Sequence, residues 1–222
     1  MKFFYLAVLF LLLFIMGAGR IFGEYAQIAF YFVIILMGLG MAFYGYWFKK
    51  FVDKVNALMP LIETEPDTYI EETKKLLESK LPGNIRAMLI MNIAVAHMEK
   101  GDFKTALQTL KEIQGGTLKK ANHAIYFLNL AYVQIHLGQH EQALEIIKKY
   151  KKRFLSLPMG GNLPRLITFV QVFEAMQDNK WEEAEENLKT AKADWPDKVT
   201  GVNFAYLEEQ LAQHNAETKG KA

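Results

Sequence analysis

Two long apolar runs open the chain, and a different, helix-period pattern follows them. Phe3–Gly19 reads FFYLAVLFLLLFIMGAG and Ala26–Phe48 reads AQIAFYFVIILMGLGMAFYGYWF; neither carries a charge, over seventeen and twenty-three residues. A helix crosses the hydrocarbon core of a bilayer in about 20 apolar residues, so the first run is short for a span and the second spans with some tilt. The second run closes on Tyr44, Tyr46, Trp47 and Phe48, followed by Lys49, Lys50 and Lys54. Interfacial aromatics followed by lysines mark a cytoplasmic boundary. The simplest arrangement is a transmembrane hairpin of helices 3–19 and 26–48 joined by Arg20–Tyr25, with both termini cytoplasmic and residues 1–50 as the anchor. The alternative makes Phe3–Gly19 a cleaved signal peptide, since MKFF and an apolar run have that form. Either arrangement leaves the rest of the chain in the cytoplasm. Gly38, Gly40, Ala42 and Gly45 allow close helix approach, to the first segment or to another membrane protein.

Residues 51–66 form a linker helix and loop around Pro60. From residue 67 to residue 215 every segment reads helical, in pieces of about a dozen residues, with no alternating strand pattern. Asp67–Ser79, DTYIEETKKLLES, has apolar positions at helical spacing, and LPGN, Leu81–Asn84, ends it. The next piece is unusual. AMLIMNIAVAHM, Ala87–Met98, has only Asn92 and His97 as polar side chains in twelve residues. A surface helix keeps one polar face; this one needs cover on two sides.

The pattern then repeats. NIAVAHMEKGDFKTALQTL, Asn92–Leu110, matches NLAYVQIHLGQHEQALEII, Asn129–Ile147: Asn92 with Asn129, Ala94 with Ala131, Gly101 with Gly138, Ala106 with Ala143 and Leu107 with Leu144, each pair thirty-seven residues apart. A weaker third copy, Val172–Pro196, puts Trp181 opposite Phe103 and Ala184 opposite Ala106, with Asn179 in place of the turn glycine. A fixed period in this range means stacked helical pairs. Glycine permits a tight turn, asparagine tolerates the same positive φ, and alanine lets helices approach closely.

These positions resemble the tetratricopeptide (TPR) repeat, whose pattern has a small residue in the first helix, a turn glycine, an aromatic, an alanine in the second helix, a bulky residue and a closing proline. Ala94, Gly101, Phe103, Ala106 and Leu110 carry it in the first copy; Ala131, Gly138, Ala143 and Ile147 in the second, with His140 for the aromatic; and Trp181, Ala184, Leu188, Ala191 and Pro196 in the third. The resemblance implies an all-α chain: a membrane hairpin, then an α-solenoid of about three helical pairs over residues 67–215, with Val199–Asn215 as a polar-faced end helix and 216–222 as a disordered tail. It also implies a concave groove lined by first helices. Ile90, Ile93, Ala94 and His97 would pack inside the first pair. The groove would be lined by Met88, Met91, Val95 and Met98, then Ile125, Leu128, Tyr132 and Ile135, then Leu166, Phe169, Phe173 and Met176. All twelve are apolar, so a clamp for acidic peptide tails, which uses groove lysines, is not expected. Methionine-rich apolar grooves accept amphipathic helices. The occupant is a protein partner, a second copy, a lipid, or the chain itself.

Composition narrows the chemistry. The chain has 222 residues, net charge +2 and no cysteine, which leaves no disulfide, thiolate metal site or cysteine nucleophile and no global field for nucleic acid. His136 and His140 straddle Gly138, and no HExxH, P-loop, dinucleotide or nucleophile-elbow motif occurs. No enzyme activity, metal or cofactor is expected. One charge run stands out: KKYKKRF places Lys148, Lys149, Lys151, Lys152 and Arg153 near a helix end. They would favour the helix dipole or contact an anionic surface. The expected function is a membrane-anchored scaffold or adaptor that binds a protein partner near the membrane. The alternatives are a holdase for apolar segments and a ligand-sensing regulator.

Overall fold

A computed structural model describes residues 24–114, 117–118, 121–158, 160, 162–195 and 203–219. The described regular structure is all helical. The chain divides into two compact units, Met1–Ala57 and Leu58–Ala222. The first apolar run, and with it the hairpin and signal-peptide readings, lies outside the described residues.

Among the described residues of the first unit one helix, α1 (Glu24–Leu58), runs for 35 residues, roughly 50 Å at 1.5 Å per residue. It is long and apolar enough to cross a membrane. Its large apolar side chains stand exposed, Phe43 at 73% and Ile28 at 66%. Near its end Tyr44 stacks on Phe48 and Trp47 on Phe51, along one side of the helix.

The second unit contains α2 (Leu61–Thr64), α3 (Pro66–Leu77), α4 (Gly83–Glu99), α5 (Phe103–Lys111), α6 (Ala121–His136), α7 (His140–Leu155), α8 (Leu163–Gln177), α9 (Trp181–Asp194) and α10 (Ala205–Lys219). Pro66 begins α3, where a missing N–H goes unnoticed. Asp102 caps α5 by accepting from the Thr105 N–H at 3.1 Å. The helices pack in chain order as hairpins, α4 with α5, α6 with α7 and α8 with α9, and each hairpin packs against the next.

The three hairpins share one turn. Gly101 (φ 73°), Gly138 (φ 71°) and Asn179 (φ 60°) occupy the left-handed region. Around each, two backbone bonds close the first helix. Gly101 N–H donates to Met98 and Asp102 N–H to His97; Gly138 donates to Ile135 and Gln139 to Gln134; Asn179 donates to Met176 and Lys180 to Ala175. This is the Schellman arrangement, which a residue at positive φ makes possible. The alanines sit where helices meet: Ala94, Ala106, Ala131, Ala143 and Ala184 are wholly buried. A larger side chain there would force the helices apart.

The residue two beyond each turn then reaches the next hairpin at a constant spacing. Phe103 stacks on His136 (centroids 4.2 Å), His140 meets Phe173 edge-on (5.3 Å) and Trp181 stacks on His214 (3.8 Å). Each pair is thirty-three residues apart (136 − 103, 173 − 140, 214 − 181). By this register α10 stands where the first helix of a fourth hairpin would stand.

α4 has both apolar faces covered by protein. Ile93 and Ala96 join Ile62, Tyr69 and Ile70 of α2 and α3 in one cluster. Ala87, Met91, Ala94 and Met98 join the main core of α5 to α9. The repeat pattern places Ile93 and Ala94 together inside the pair; they point instead to opposite neighbours, because adjacent helical positions lie 100° apart.

Candidate functional site

The twelve candidate groove positions of α4, α6 and α8 are apolar, and most of them are covered. Of the twelve candidate groove residues, Met91, Met98, Leu128, Tyr132, Ile135, Leu166, Phe169, Phe173 and Met176 are buried in the main core. Met88, Val95 and Ile125 are half-buried. Part of the cover comes from the chain's own C-terminal segment. Phe204, Leu207 and Leu211 belong to the same core, and the first two are fully buried.

The seating of this segment is specific. The Phe204 ring lies 6.1 Å from Phe169, and the Arg165 guanidinium sits 5.2 Å from the Phe204 centroid. Tyr206 packs 5.3 Å from His136, and its hydroxyl is hydrogen-bonded to His140 Nε2 at 2.8 Å. The Asn203 backbone is in hydrogen-bonding reach of the Tyr132 hydroxyl. Farther along α10, Glu208 pairs with Lys192 of α9. Sequence reading treats Val199–Asn215 as a polar end helix; its part before residue 203 lies outside the described residues. Phe204, Leu207 and Leu211 have the i, i+3, i+7 spacing of an apolar stripe, and that spacing is the signal for the contact.

Burial sets the electrostatics here. His136 is enclosed by Phe103, Tyr132, Phe169 and Tyr206. Desolvation pushes its imidazole down to about 4, because an apolar box disfavours the cation. Desolvation also pushes the Tyr132 hydroxyl up to about 12. Both side chains are therefore neutral at ordinary pH, and Arg165 is a cation set against Phe204 beside them. His97, at the opposite end of the stack, is likewise lowered by burial.

The basic run on α7 is split by its surroundings. Lys151 bonds the buried Glu174 of α8 at 2.8 Å, and Lys148 lies 3.7 Å from Asp178. These contacts form one wall of a polar cleft of about 280 Å³ between α7, α8 and α9. Lys149 and Arg153 flank the Tyr150 ring, each 5.6 Å from its centroid. Among the described residues no group of three or more His, Asp or Glu is placed to hold a metal ion.

No protein-family model matches the chain, and no curated protein or solved structure shows significant similarity to it.

Proposed function

We propose that this chain is a membrane-anchored scaffold of the tetratricopeptide type, which acts by binding and not by turnover. The observation that carries the reading is the repeated hairpin: three equivalent left-handed turns, five wholly buried alanines and a constant thirty-three-residue aromatic step. Stacks of this kind present a concave face to a partner. α1, preceded by the Phe3–Gly19 run, would hold that face at the cytoplasmic side of a bilayer, with both termini cytoplasmic. Anchoring raises the effective concentration of any partner confined to the same surface.

The partner we infer is an amphipathic helix with an apolar stripe, a reading supported by the apolar stripe of α10 packed in the same core as the candidate groove residues. That stripe, Phe204, Leu207 and Leu211, is seated through an Arg165–Phe204 contact, one Tyr206–His140 hydrogen bond and apolar packing. A partner helix with the same stripe would take the place of Asn203–Leu211. Neutral His136 and Tyr132 suit an apolar anchor and give no purchase to an acidic tail.

Truncation of the full chain after residue 202 tests this. The scaffold reading expects a folded protein, by circular dichroism, that binds a synthetic peptide of residues 203–214 with one-to-one stoichiometry. It also expects Phe204→Ala in the peptide to weaken binding by about ten-fold or more, the loss typical of a buried aromatic anchor. Cooperative unfolding on truncation would overturn it and assign the segment to the core. Capture of many unrelated apolar peptides with similar affinity would favour a holdase.

A further inference from the structure

We infer that the C-terminal end of α7, with the depression beside it, is a contact surface for anionic phospholipid. The inference rests on the membrane-anchor reading above and concerns a different face of the second unit. Of the five cations on α7, Lys148 and Lys151 are absorbed by Asp178 and Glu174 of α8. Lys149, Lys152 and Arg153 make no ion pair among the described residues and are exposed. On a helix these three fall within about 100° of arc, so they form one basic stripe. A stripe serving only the helix dipole or solubility would not need an apolar tip. This one has Leu155, which is 53% exposed and, with Met59, makes up the large apolar side chains exposed in the described part of Leu58–Ala222. Cations backed by an exposed leucine match the two layers of a bilayer surface, phosphate outside and acyl chain beneath.

Beside the stripe lies an open depression of about 580 Å³ between the end of α7 and the start of α6, within the size range of small-ligand sites. Its polar wall is Arg153, Ser156 and His123, and its apolar wall includes Leu118 and Leu157. His123 Nδ1 is buried there without a hydrogen-bond partner. Arg153 offers a planar fork that suits a phosphate oxygen pair. Among the described residues no carboxylate lines the depression. A lipid headgroup phosphate fits Arg153 and Ser156, while Leu155, about 60° round the helix from Lys152, meets the acyl layer at the other edge of the stripe.

The chain has no native cysteine, so Leu155→Cys gives a single labelling site. The full-length L155C chain, carrying an environment-sensitive fluorophore, is reconstituted into nanodiscs of phosphatidylcholine, or of phosphatidylcholine mixed with phosphatidylglycerol, with bromine-labelled acyl chains as quenchers. The expected result is quenching in the anionic discs alone, lost at high salt. It should also be lost in K149Q/K152Q/R153Q, which shifts the contact equilibrium roughly a hundred-fold at about five-fold for each cation near the surface. Equal quenching in neutral discs, or none in either, with the chain incorporated, overturns the contact. Failure to incorporate at all overturns the anchor reading instead, so the two are told apart.

Discussion

α1 and α4 are built from the same kind of sequence and meet opposite fates. Both are apolar nearly all the way round. In α4 the apolar residues vanish into protein, Leu89, Ala94 and Ala96 completely; in α1 Tyr31, Ile35 and Phe43 stand out. Length and the presence of packed neighbours separate the two cases. α4 is 17 residues long and α1 is 35. α4 carries Ala87, Ala94 and Ala96 where neighbouring helices come close, and α3, α5 and α6 supply those neighbours. α1 has small residues too, Gly38, Gly40, Ala42 and Gly45, but no described helix packs on them, and its length is that of a membrane span. An all-round apolar helix therefore states a need for cover, and its length says whether a bilayer is a candidate for it.

One substitution made in both helices separates the covers. Leu89→Lys puts a charge where no water reaches, and we expect a loss of more than about 4 kcal/mol in denaturant unfolding, enough to unfold a domain of ordinary stability. Ile35→Lys should leave the unfolding of the second unit unchanged. It should lower membrane insertion instead, by about 3 kcal/mol for a lysine near the centre of a span, read by glycosylation-site or protease mapping. Equal effects of the two changes on unfolding would remove the distinction between the helices.

The covered face has a pH signature that the exposed helix lacks. His136 is held neutral in the folded state with its pKa near 4, against about 6.5 when unfolded. Between those values the unfolded chain binds the extra proton. Stability therefore falls as pH drops from about 6.5 to about 4 and levels off below, by about 2 kcal/mol after allowance for partial exposure. His136→Phe keeps the ring stack with Phe103 and should flatten that part of the profile. An unchanged slope in the variant would place the titration elsewhere.

The repeated turns give the smallest effect and the sharpest internal control. Gly138→Ala forces a Cβ into the left-handed region (φ 71°) although nothing crowds the site, and should cost about 1 kcal/mol. Asn179→Gly, at φ 60°, should be neutral or gain a few tenths. If Gly138→Ala is neutral, the three turns are not equivalent.

Much of the second unit was legible because its constraints are local. A left-handed residue at Gly101, Gly138 and Asn179 and an alanine at Ala106, Ala143 and Ala184 can be read from spacing alone. α3 and the break at Leu81–Asn84 follow from cap and breaker residues in the same way. The twelve positions were legible as an apolar surface, with cover by the chain itself left open as one of several occupants. Which side of α4 meets α3 depends on the rotation of the helix, and two adjacent apolar positions, Ile93 and Ala94, carry no mark of it. The seating of Phe204 on Phe169 joins segments thirty-five residues apart; the stripe of Phe204, Leu207 and Leu211 marks a face to be buried but does not say against which helix. His136 reads in the sequence only as a histidine cut off from His140 by Gly138; its role as a buried ring emerges when Phe103, Phe169 and Tyr206 close around it.

The central claim is that the apolar positions of α6 and α8 are covered by Asn203–Leu211 as a separable segment. Hydrogen exchange, compared between the full chain and the chain ending at residue 202, measures this directly. The account predicts faster exchange confined to α6, α8 and α9, with α3 and α4 unchanged and protection restored by adding the 203–214 peptide. Uniform loss of protection through the unit, or no change anywhere, would contradict it.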